Sequence, residues 1–320
     1  MERMDAPTAH IPSPAGDSMT ESAPVPSAAA APSLVARCWG TRGSIPSPGP
    51  LTARYGGNTP CLEVRAGGHH LVFDAGTGIR ALGEKLVSEP SRGPLVVFLT
   101  HFHWDHIQGF PFFRPLYDPE ACIEILGPTQ MGVDVQTLFA GQMGPIYFPI
   151  PFEALAATKQ FEHLDEDTWE RDGVRVRAMR VRHPSYTLGY RVEAGGRALV
   201  FVPDNELVGG DYEELGEGFA DRLADFAAGA DVLIHDSMFT EAEYAAHQGW
   251  GHSTFDQALA LAHAADVGTL LFYHHAPQRT DDQLDAIVAE MRARADALGF
   301  AGRVAAAAEG ADLVIPEARP

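Results

Sequence analysis

Three histidines and an aspartate lie within six residues of one another, in the segment Thr100-His-Phe-His-Trp-Asp-His106. This segment directly follows the apolar run 94–100, which has the composition of a strand buried on both faces. Four metal-binding groups this close would repel and desolvate one another unless a cation lay between them. The spacing therefore predicts a metal site, and a chance cluster in a histidine-containing loop is the weaker alternative.

Further candidate ligands follow other strand-like runs of the chain. They are His183, Asp204 and the adjacent pair His274 and His275. Each is a weak signal alone, because a single histidine or aspartate at a strand end is more often a hydrogen-bonded turn residue. One turn cannot complete the coordination of two ions, however, so a two-metal site needs further ligands from the ends of other strands. An aspartate among them can bridge the two ions.

The segment Gly249-Trp-Gly-His-Ser-Thr-Phe-Asp256 has the pattern of a helix start. Ser253 is the predicted N-cap, and Asp256, three residues later, fits the first turn. This interpretation leaves His252 without an evident role. On this segment alone His252 is either a bystander beside the cap or a reactive side chain that the cap holds in place.

Short strand patterns and a few helical patterns follow one another from Leu34 onward. The first three strands, separated by Gly/Pro/Asn turns, are predicted to form an antiparallel meander. Predicted strands are 35–39, 61–65, 70–73, 94–100, 122–125, 174–181, 187–192, 198–202, 231–234 and 269–272, and predicted helices are 133–139, 220–227, 254–265 and 281–298. This mixture predicts one α/β domain, residues 34–320, with two packed sheets and helices outside them.

Two segments have less regular patterns. Residues 1–33 are rich in Ala, Pro and Ser, so they are predicted to be a disordered tail. The proline-rich and aromatic stretch 141–152 is predicted to be an ordered loop. Two alternatives stay open for it: a loop over a pocket or at a subunit contact, or a loop packed on its own core.

The charge balance argues against a long nucleic-acid partner. Asp and Glu number 43 against 23 Lys and Arg, a formal net charge of -20, and no Lys/Arg run compensates locally. The three cysteines, Cys38, Cys61 and Cys122, are too few for a disulfide framework, which favours reduced thiols and a cytoplasmic location. No segment has the apolar length of a membrane span, and the first 33 residues lack the apolar core of a signal peptide.

Together, the HFHWDH segment and the later His183, Asp204 and His274 resemble the metallo-β-lactamase superfamily, over nearly all of the chain from Leu34 onward. The resemblance implies a four-layer αββα sandwich that holds two divalent ions, usually Zn²⁺, with Mn²⁺ or Fe as alternatives. The implied ligands are His101, His103 and His183 for one ion, Asp105, His106 and His274 for the other, and Asp204 as the bridge. His274 is preferred to His275 because it directly follows the strand-like run 270–273, and Asp74 matches a turn aspartate that orients a ligand.

The stretch 230–240 and the box Gly251-His-Ser-Thr254 resemble parts of tRNase Z and its small phosphodiesterase relatives in that superfamily. The resemblance makes His252 the general acid at the leaving oxygen, paired with Asp236 where tRNase Z has glutamate. Asp105 is predicted to be both a metal ligand and a catalytic residue. The implied reaction is attack on phosphorus by a metal-bound hydroxide.

Other stretches bear on the substrate. Segments 39–46 and 55–59 resemble a bacterial branch related to cyclic-nucleotide phosphodiesterases, and the Gly- and Lys-rich arm with which tRNase Z grips tRNA is not evident. Trp104 stands where tRNase Z has a small residue. The leading hypothesis is a phosphodiesterase for a small phosphodiester or nucleotide, with cyclic nucleotides as candidates. The alternatives are a tRNA 3'-end processing endonuclease and a non-catalytic metal- or nucleotide-binding sensor; the family also implies a homodimer.

Overall fold

The computed structural model describes residues 34–89 and 95–315, and the strands in these ranges form two sheets. One sheet comprises β1 (Leu34–Gly40), β2 (Cys61–Ala66), β3 (His69–Phe73), β4 (Leu95–Phe98), β5 (Cys122–Gly127), β6 (Thr158–His163) and β14 (Asp312–Ile315). The other comprises β7 (Thr168–Arg171), β8 (Val174–Val181), β9 (Thr187–Ala194), β10 (Arg197–Val202), β11 (Val232–Asp236), β12 (Thr269–Tyr273) and β13 (Arg303–Ala306). Their spatial orders are β14-β1-β2-β3-β4-β5-β6 and β13-β12-β11-β10-β9-β8-β7.

The directions of the strands place several turns at the same edge of each sheet. β1, β2 and β3 pair antiparallel, so the predicted meander is confirmed. Pairing is parallel from β3 through β6 and from β10 through β13. Because the carboxyl ends of neighbouring parallel strands lie at one edge, the turns that follow them meet there.

Aromatic rings fill the space between the two sheets. Phe73 stacks on Phe98 with ring centroids 5.2 Å apart, and Tyr190 of the other sheet lies 5.3 Å from Phe73. All three rings are fully buried, and truncation of such a ring to alanine costs about 3–5 kcal/mol. The Tyr190 hydroxyl donates to the Leu99 carbonyl, which ties the second sheet to the turn that begins at Thr100.

The described α-helices are α1 (Gly78–Ser88), α2 (Trp104–Ile107), α3 (Val135–Gln142), α4 (Phe219–Ala227), α5 (Glu241–Tyr244), α6 (Phe255–Ala264) and α7 (Asp281–Leu298). Five of them cover the outer faces of the sheets. α1 and α3 bury their apolar side chains against the first sheet, and α4, α6 and α7 do so against the second. The layers are therefore αββα, and the predicted fold class is confirmed.

Four strands were absent from the sequence prediction: β6, β7, β13 and β14. They are the four edges of the two sheets. An edge strand is paired on one side only and needs fewer apolar side chains. Most residues of β6, with the sequence TKQFEH, are exposed. The alternation on which strand prediction depends is therefore weak at these places.

The cap of α6 corrects one prediction. Ser253 is not the N-cap; Thr254 is, and its hydroxyl accepts from the backbone N–H of Gln257 at 3.0 Å. The Ser253 hydroxyl instead donates to the Asn205 carbonyl at 2.6 Å and accepts from the Leu207 N–H at 3.1 Å. Serine and threonine are both preferred N-cap residues, with serine slightly ahead, so only these long-range bonds identify Thr254 as the cap.

Residues 141 and 142 end α3, and the rest of the stretch up to 152 packs partly on its own core, as the second alternative predicts; a place over a pocket or at a subunit contact stays a prediction. Phe148 packs edge-on against Phe112, with centroids 5.5 Å apart, and Phe152 is buried. Ile146 and Tyr147, which directly precede Phe148, are exposed. The predicted tail, residues 1–33, lies outside the described residues, so the domain division at residue 34 stays a prediction. None of the described helices is both long and apolar enough to cross a membrane.

Candidate functional site

The turns after β4, β8, β10 and β12, together with the end of β11 and the loop that follows it, bring one cluster of ionisable side chains together. Its members are His101, His103, Asp105, His106, His183, Asp204, Asp236, His252 and His274. All are buried except His103. The structure thus places every metal-binding or catalytic residue predicted from the sequence in a single site.

The first group of donor atoms surrounds one oxygen of Asp204. His183 Nε2 lies 3.0 Å from His103 Nδ1 and 3.7 Å from Asp204 Oδ2. His101 Nε2 is 3.9 Å from the same oxygen. These separations are longer than a metal–ligand bond and fit donor atoms that share one cation.

The second group surrounds the other oxygen of Asp204. His106 Nε2 lies 3.0 Å from Asp204 Oδ1, and His274 Nε2 lies 3.3 Å from it. Asp105 Oδ2 is 3.4 Å from His106 Nε2 and 3.2 Å from His274 Nε2. Asp204 therefore offers one oxygen to each group, as a bridging carboxylate would.

The buried donor atoms of this cluster fit divalent cations. His101 Nε2, His106 Nε2 and Asp204 Oδ1 are buried and have no hydrogen-bond partner. A buried polar atom without a partner is costly, and several aimed at one another are more so. Imidazole nitrogens with carboxylate oxygens are a donor set that suits zinc, iron and manganese.

Burial and neighbouring charges set the protonation of the ligands. Burial lowers the pKa of the His183 imidazole to about 3, so it is neutral at pH 7. Burial would raise the pKa of Asp105, but His106 and His274 outweigh it and hold that pKa well below its usual range. Burial also opposes the protonation of His106, yet Asp204 and Asp105 hold its pKa well above the usual value. A cation would therefore displace a proton from His106.

Further hydrogen bonds orient the ligands. His106 Nδ1 donates to Asp74 at 2.8 Å, and His183 Nδ1 donates to the Gly251 carbonyl at 2.9 Å, so each ring keeps Nε2 free for a cation. Asp74 and His274 both have left-handed backbones, with φ of 64° and 59°. Such conformations are costly for these residue types and are found where the surroundings enforce them.

The structure separates the adjacent pair His274 and His275. The His274 ring faces the second group, whereas His275 Nε2 donates to the Ala307 carbonyl at 2.9 Å. Burial lowers the pKa of His275 to about 3, so it is a neutral core residue. The geometry agrees with the preference for His274 as a ligand, which stays a prediction.

His252 lies beside both groups and is held by Asp236. Its Nδ1 donates to Asp236 Oδ2 at 2.7 Å, and its ring stacks on His274 with centroids 4.8 Å apart. Burial opposes protonation, but Asp236, then Asp204 and Asp105, raise the pKa of His252 to about 9. A cation bound at Asp204 and Asp105 would cancel much of the contribution of these two carboxylates to the pKa of His252. Asp236 would then be the main group that keeps His252 protonated.

Glu206 is a site component that the sequence did not predict. Its buried carboxylate accepts from the N–H groups of Gly249 at 2.8 Å and Gly251 at 3.0 Å. It also accepts from the hydroxyls of Tyr244 at 2.5 Å and Tyr212 at 3.0 Å. Glu206 thereby fixes the loop that carries the Gly251 carbonyl. The only sequence signal was its place two residues after Asp204.

Arg42 is a second such component. Its fully buried guanidinium donates to the carbonyls of Gly56, Ala276 and Arg279 at 2.8–3.2 Å. These bonds fix the backbone close to Ser44, two residues further on, whose N–H donates to Asp105 Oδ2 at 2.7 Å. The segment after β1 is thus fastened both to the segment after β12 and to a candidate ligand.

The segments that supply the cluster are free of basic residues. No Lys or Arg occurs in 99–113, 183–190, 203–218 or 236–278. Arg182, next to His183, donates to the carbonyls of Leu207 at 3.4 Å and Gly216 at 3.1 Å. The segments that carry the candidate ligands therefore supply no cationic side chain to a substrate.

Comparisons with known proteins agree with this geometry. A family model described as "Beta-lactamase superfamily domain" matches residues 69–275. Ribonuclease Z of Mycobacterium avium (strain 104) is 30% identical over 286 residues, which cover 83% of this chain and 92% of that protein. The metallo-beta-lactamase fold protein YhfI of Bacillus subtilis has 18% identity and a TM-score of 0.63, covering 88% of this chain and 99% of its own. Unliganded yeast PDE1 has 15% identity and a TM-score of 0.64, and the match covers 88% of this chain and 99% of the PDE1 chain.

Proposed function

The chain belongs to the metallo-β-lactamase superfamily and is a metal-dependent hydrolase of phosphodiester bonds, and from that premise we propose that its substrate is a small phosphodiester, with cyclic nucleotides as candidates. The observation that carries the proposal is the Asp236–His252 pair beside a two-group ligand cluster. The pair offers a proton to a leaving group, and an alkoxide that leaves phosphorus needs one.

The residues that would hold the metal ions are those of the two groups described above, with Asp204 between them. When bound, two divalent ions activate water and neutralise charge on the phosphoryl oxygens. His101, His103 and His183 would hold one ion, and Asp105, His106 and His274 the other. Zinc is the leading candidate for both, with manganese and iron as alternatives.

His252 is suited to act at the leaving oxygen. Its Nδ1–H is fixed by Asp236, so the ring orientation is set and Nε2 is left for the substrate. Asp236 in turn accepts from the N–H groups of Asn205 and Met238, both at 3.1 Å. This support holds the carboxylate in place while the imidazole gives up a proton and becomes neutral.

The charge of the site favours a small substrate. The cluster-bearing segments contain no Lys or Arg, and the whole chain carries a formal charge of -20. A long polyanion gains affinity through several phosphate contacts to basic side chains. A substrate with one phosphodiester needs only the ions themselves.

A second candidate is tRNA 3'-end processing, which the 30% identity to Ribonuclease Z favours. The absence of basic residues from the cluster-bearing segments counts against it. A third candidate is a non-catalytic metal- or nucleotide-binding sensor. It is disfavoured because the chain retains seven candidate ligands together with the Asp236–His252 pair. Homodimer formation remains an expectation from the family.

One substrate panel tests the proposal. Bound metal is first quantified, and the same preparation is then given 2',3'- and 3',5'-cyclic nucleotides, linear dinucleotides and precursor tRNA. Turnover of a small phosphodiester without cleavage of precursor tRNA supports the proposal. Efficient 3' cleavage of precursor tRNA with poor turnover of small esters would replace it by the second candidate, and nucleotide binding without any turnover by the third.

A further inference from the structure

Two exposed tryptophans flank the candidate site. Trp104 is the first residue of α2, lies between His103 and Asp105, and is 77% exposed. Trp250 directly precedes Gly251 and is 60% exposed. Adjacent Cα atoms are about 3.8 Å apart, so each indole starts within a few ångströms of a residue that belongs to or contacts the ligand cluster.

The other two tryptophans of the chain are packed. Trp39 Nε1 donates to Glu63 at 3.0 Å, and Trp169 Nε1 donates to Glu124 at 3.2 Å. Tryptophan is highly buried on average, so two exposed indoles beside one site are an unusual use of this residue. The exposure of indoles is therefore concentrated at the site.

Both exposed tryptophans are attached to fixed backbone. Trp104 is followed at once by Asp105, which Ser44 holds through its backbone N–H. Trp250 lies between Gly249 and Gly251, whose N–H groups both donate to the buried Glu206 carboxylate. A ring on a fixed backbone loses little entropy when it binds a flat partner.

A continuous set of ring contacts connects Trp250 to the proposed acid. The Trp250 ring meets His247 edge-on, with centroids 4.8 Å apart. His247 stacks on Phe239 at 4.4 Å, and Phe239 meets His252 at 6.0 Å. A chain of packed rings therefore connects the candidate acid to the exposed indole.

We propose that Trp104 and Trp250 are specificity-determining residues that stack against the nucleobase of the substrate. The inference rests on the proposed function and narrows its substrate class to phosphodiesters that carry an aromatic base. Base–indole stacking requires no positive charge, in agreement with the absence of Lys and Arg from the cluster-bearing segments.

Two phosphodiesters with the same leaving group provide the test. They are thymidine 5'-(p-nitrophenyl phosphate) and methyl p-nitrophenyl phosphate, which differ only in the presence of a nucleoside. We expect the wild type to prefer the nucleoside ester. Trp104→Ala and Trp250→Ala should each lower the ratio of the two kcat/KM values by about 5- to 150-fold, the range for loss of one stacked base. Trp104→Phe and Trp250→Phe should restore most of that ratio.

A matched control is Leu298→Ala, which removes an exposed apolar side chain at the far end of α7 and should leave the ratio as in wild type. Quenching of indole fluorescence by thymidine 5'-monophosphate, reduced in each alanine variant, gives a readout that does not depend on turnover. An unchanged ratio and unchanged quenching in both variants would overturn the inference. So would loss of a dimer in light scattering with an equal fall on both esters, since the rings would then be a subunit contact.

Different results would contradict the proposed function and the stacking inference. Wild-type protein with full metal content that hydrolyses neither ester contradicts the proposed function. The quenching experiment still decides whether the indoles bind a base. Hydrolysis of both esters without preference contradicts only the stacking inference.

Discussion

Replacement of His252 by alanine separates proton donation from metal binding. His252 is not one of the seven predicted ligands, and Asp236 retains its bonds from the N–H groups of Asn205 and Met238 in the variant. We therefore expect the metal content of His252→Ala to match that of wild type. Loss of the buried hydrogen bond to Asp236 should lower the free energy of unfolding by about 1–3 kcal/mol, measured in urea.

The expected kinetic effect depends on the leaving group. General-acid catalysis contributes about 100- to 10,000-fold to a rate, so His252→Ala should lose that much on an ester with an alkoxide leaving group. A p-nitrophenolate leaving group needs no proton, and the same variant should lose less than about tenfold on it. The matched control is His263→Ala, since His263 is an exposed histidine of α6.

Asp236→Asn tests the same reasoning through pH. Asp236 contributes to raising the pKa of His252 to about 9, whereas an ordinary histidine has a pKa of about 6.5. The acid must be protonated to act, so its activity is lost as the pH rises through that pKa. The alkaline limb of the pH–rate profile on an alkyl ester should therefore move to lower pH in Asp236→Asn. Equal losses on both esters, or metal lost from His252→Ala, would refute the assignment of His252 as the acid.

Three further predictions concern other parts of the molecule. Asp204→Ala should leave less than one tightly bound metal per chain in elemental analysis, because Asp204 faces both donor-atom groups; two retained metals would refute the bridge. Glu206→Gln should weaken metal binding about 10- to 100-fold in a chelator competition and lower the free energy of unfolding by about 1–3 kcal/mol, because an amide cannot accept from all four donors. Exposed Cys122 should react with iodoacetamide at pH 8 while Cys38, whose pKa burial raises to about 12, stays unmodified in peptide mass mapping.

The sequence predicts the parts of this molecule that depend on local pattern. His101, Asp204 and His274 follow apolar runs, and parallel pairing of such runs brings their ends together, so their proximity could be predicted before the structure. The edge strands could not, because they are short and most residues of β6 and β7 are exposed, so their apolar patterns are weak. Ser253 was assigned wrongly as a cap since its true partners come from the loop after β10.

Glu206 and Arg42 show why the support of the site was missed. Every partner of the Glu206 carboxylate is a backbone amide or a tyrosine hydroxyl, and most are distant in sequence. The hydrogen bonds that the Arg42 guanidinium donates go to backbone carbonyls, and two of these carbonyls lie beyond residue 270. Backbone partners leave no residue-type signature, so a pattern of side chains cannot reveal them.

The bonds of Arg42 also set an order of events during synthesis. Its partners Ala276 and Arg279 are made more than two hundred residues after it, and β1 pairs with β14, which ends at Ile315. Contacts this distant in sequence form late and slow the folding of a chain. The hydrogen bond from the Ser44 N–H to Asp105 is therefore expected to become fixed after Ala276 and Arg279 have been synthesised. Metal loading at the complete candidate site is thus expected after residues 276–279 have been synthesised.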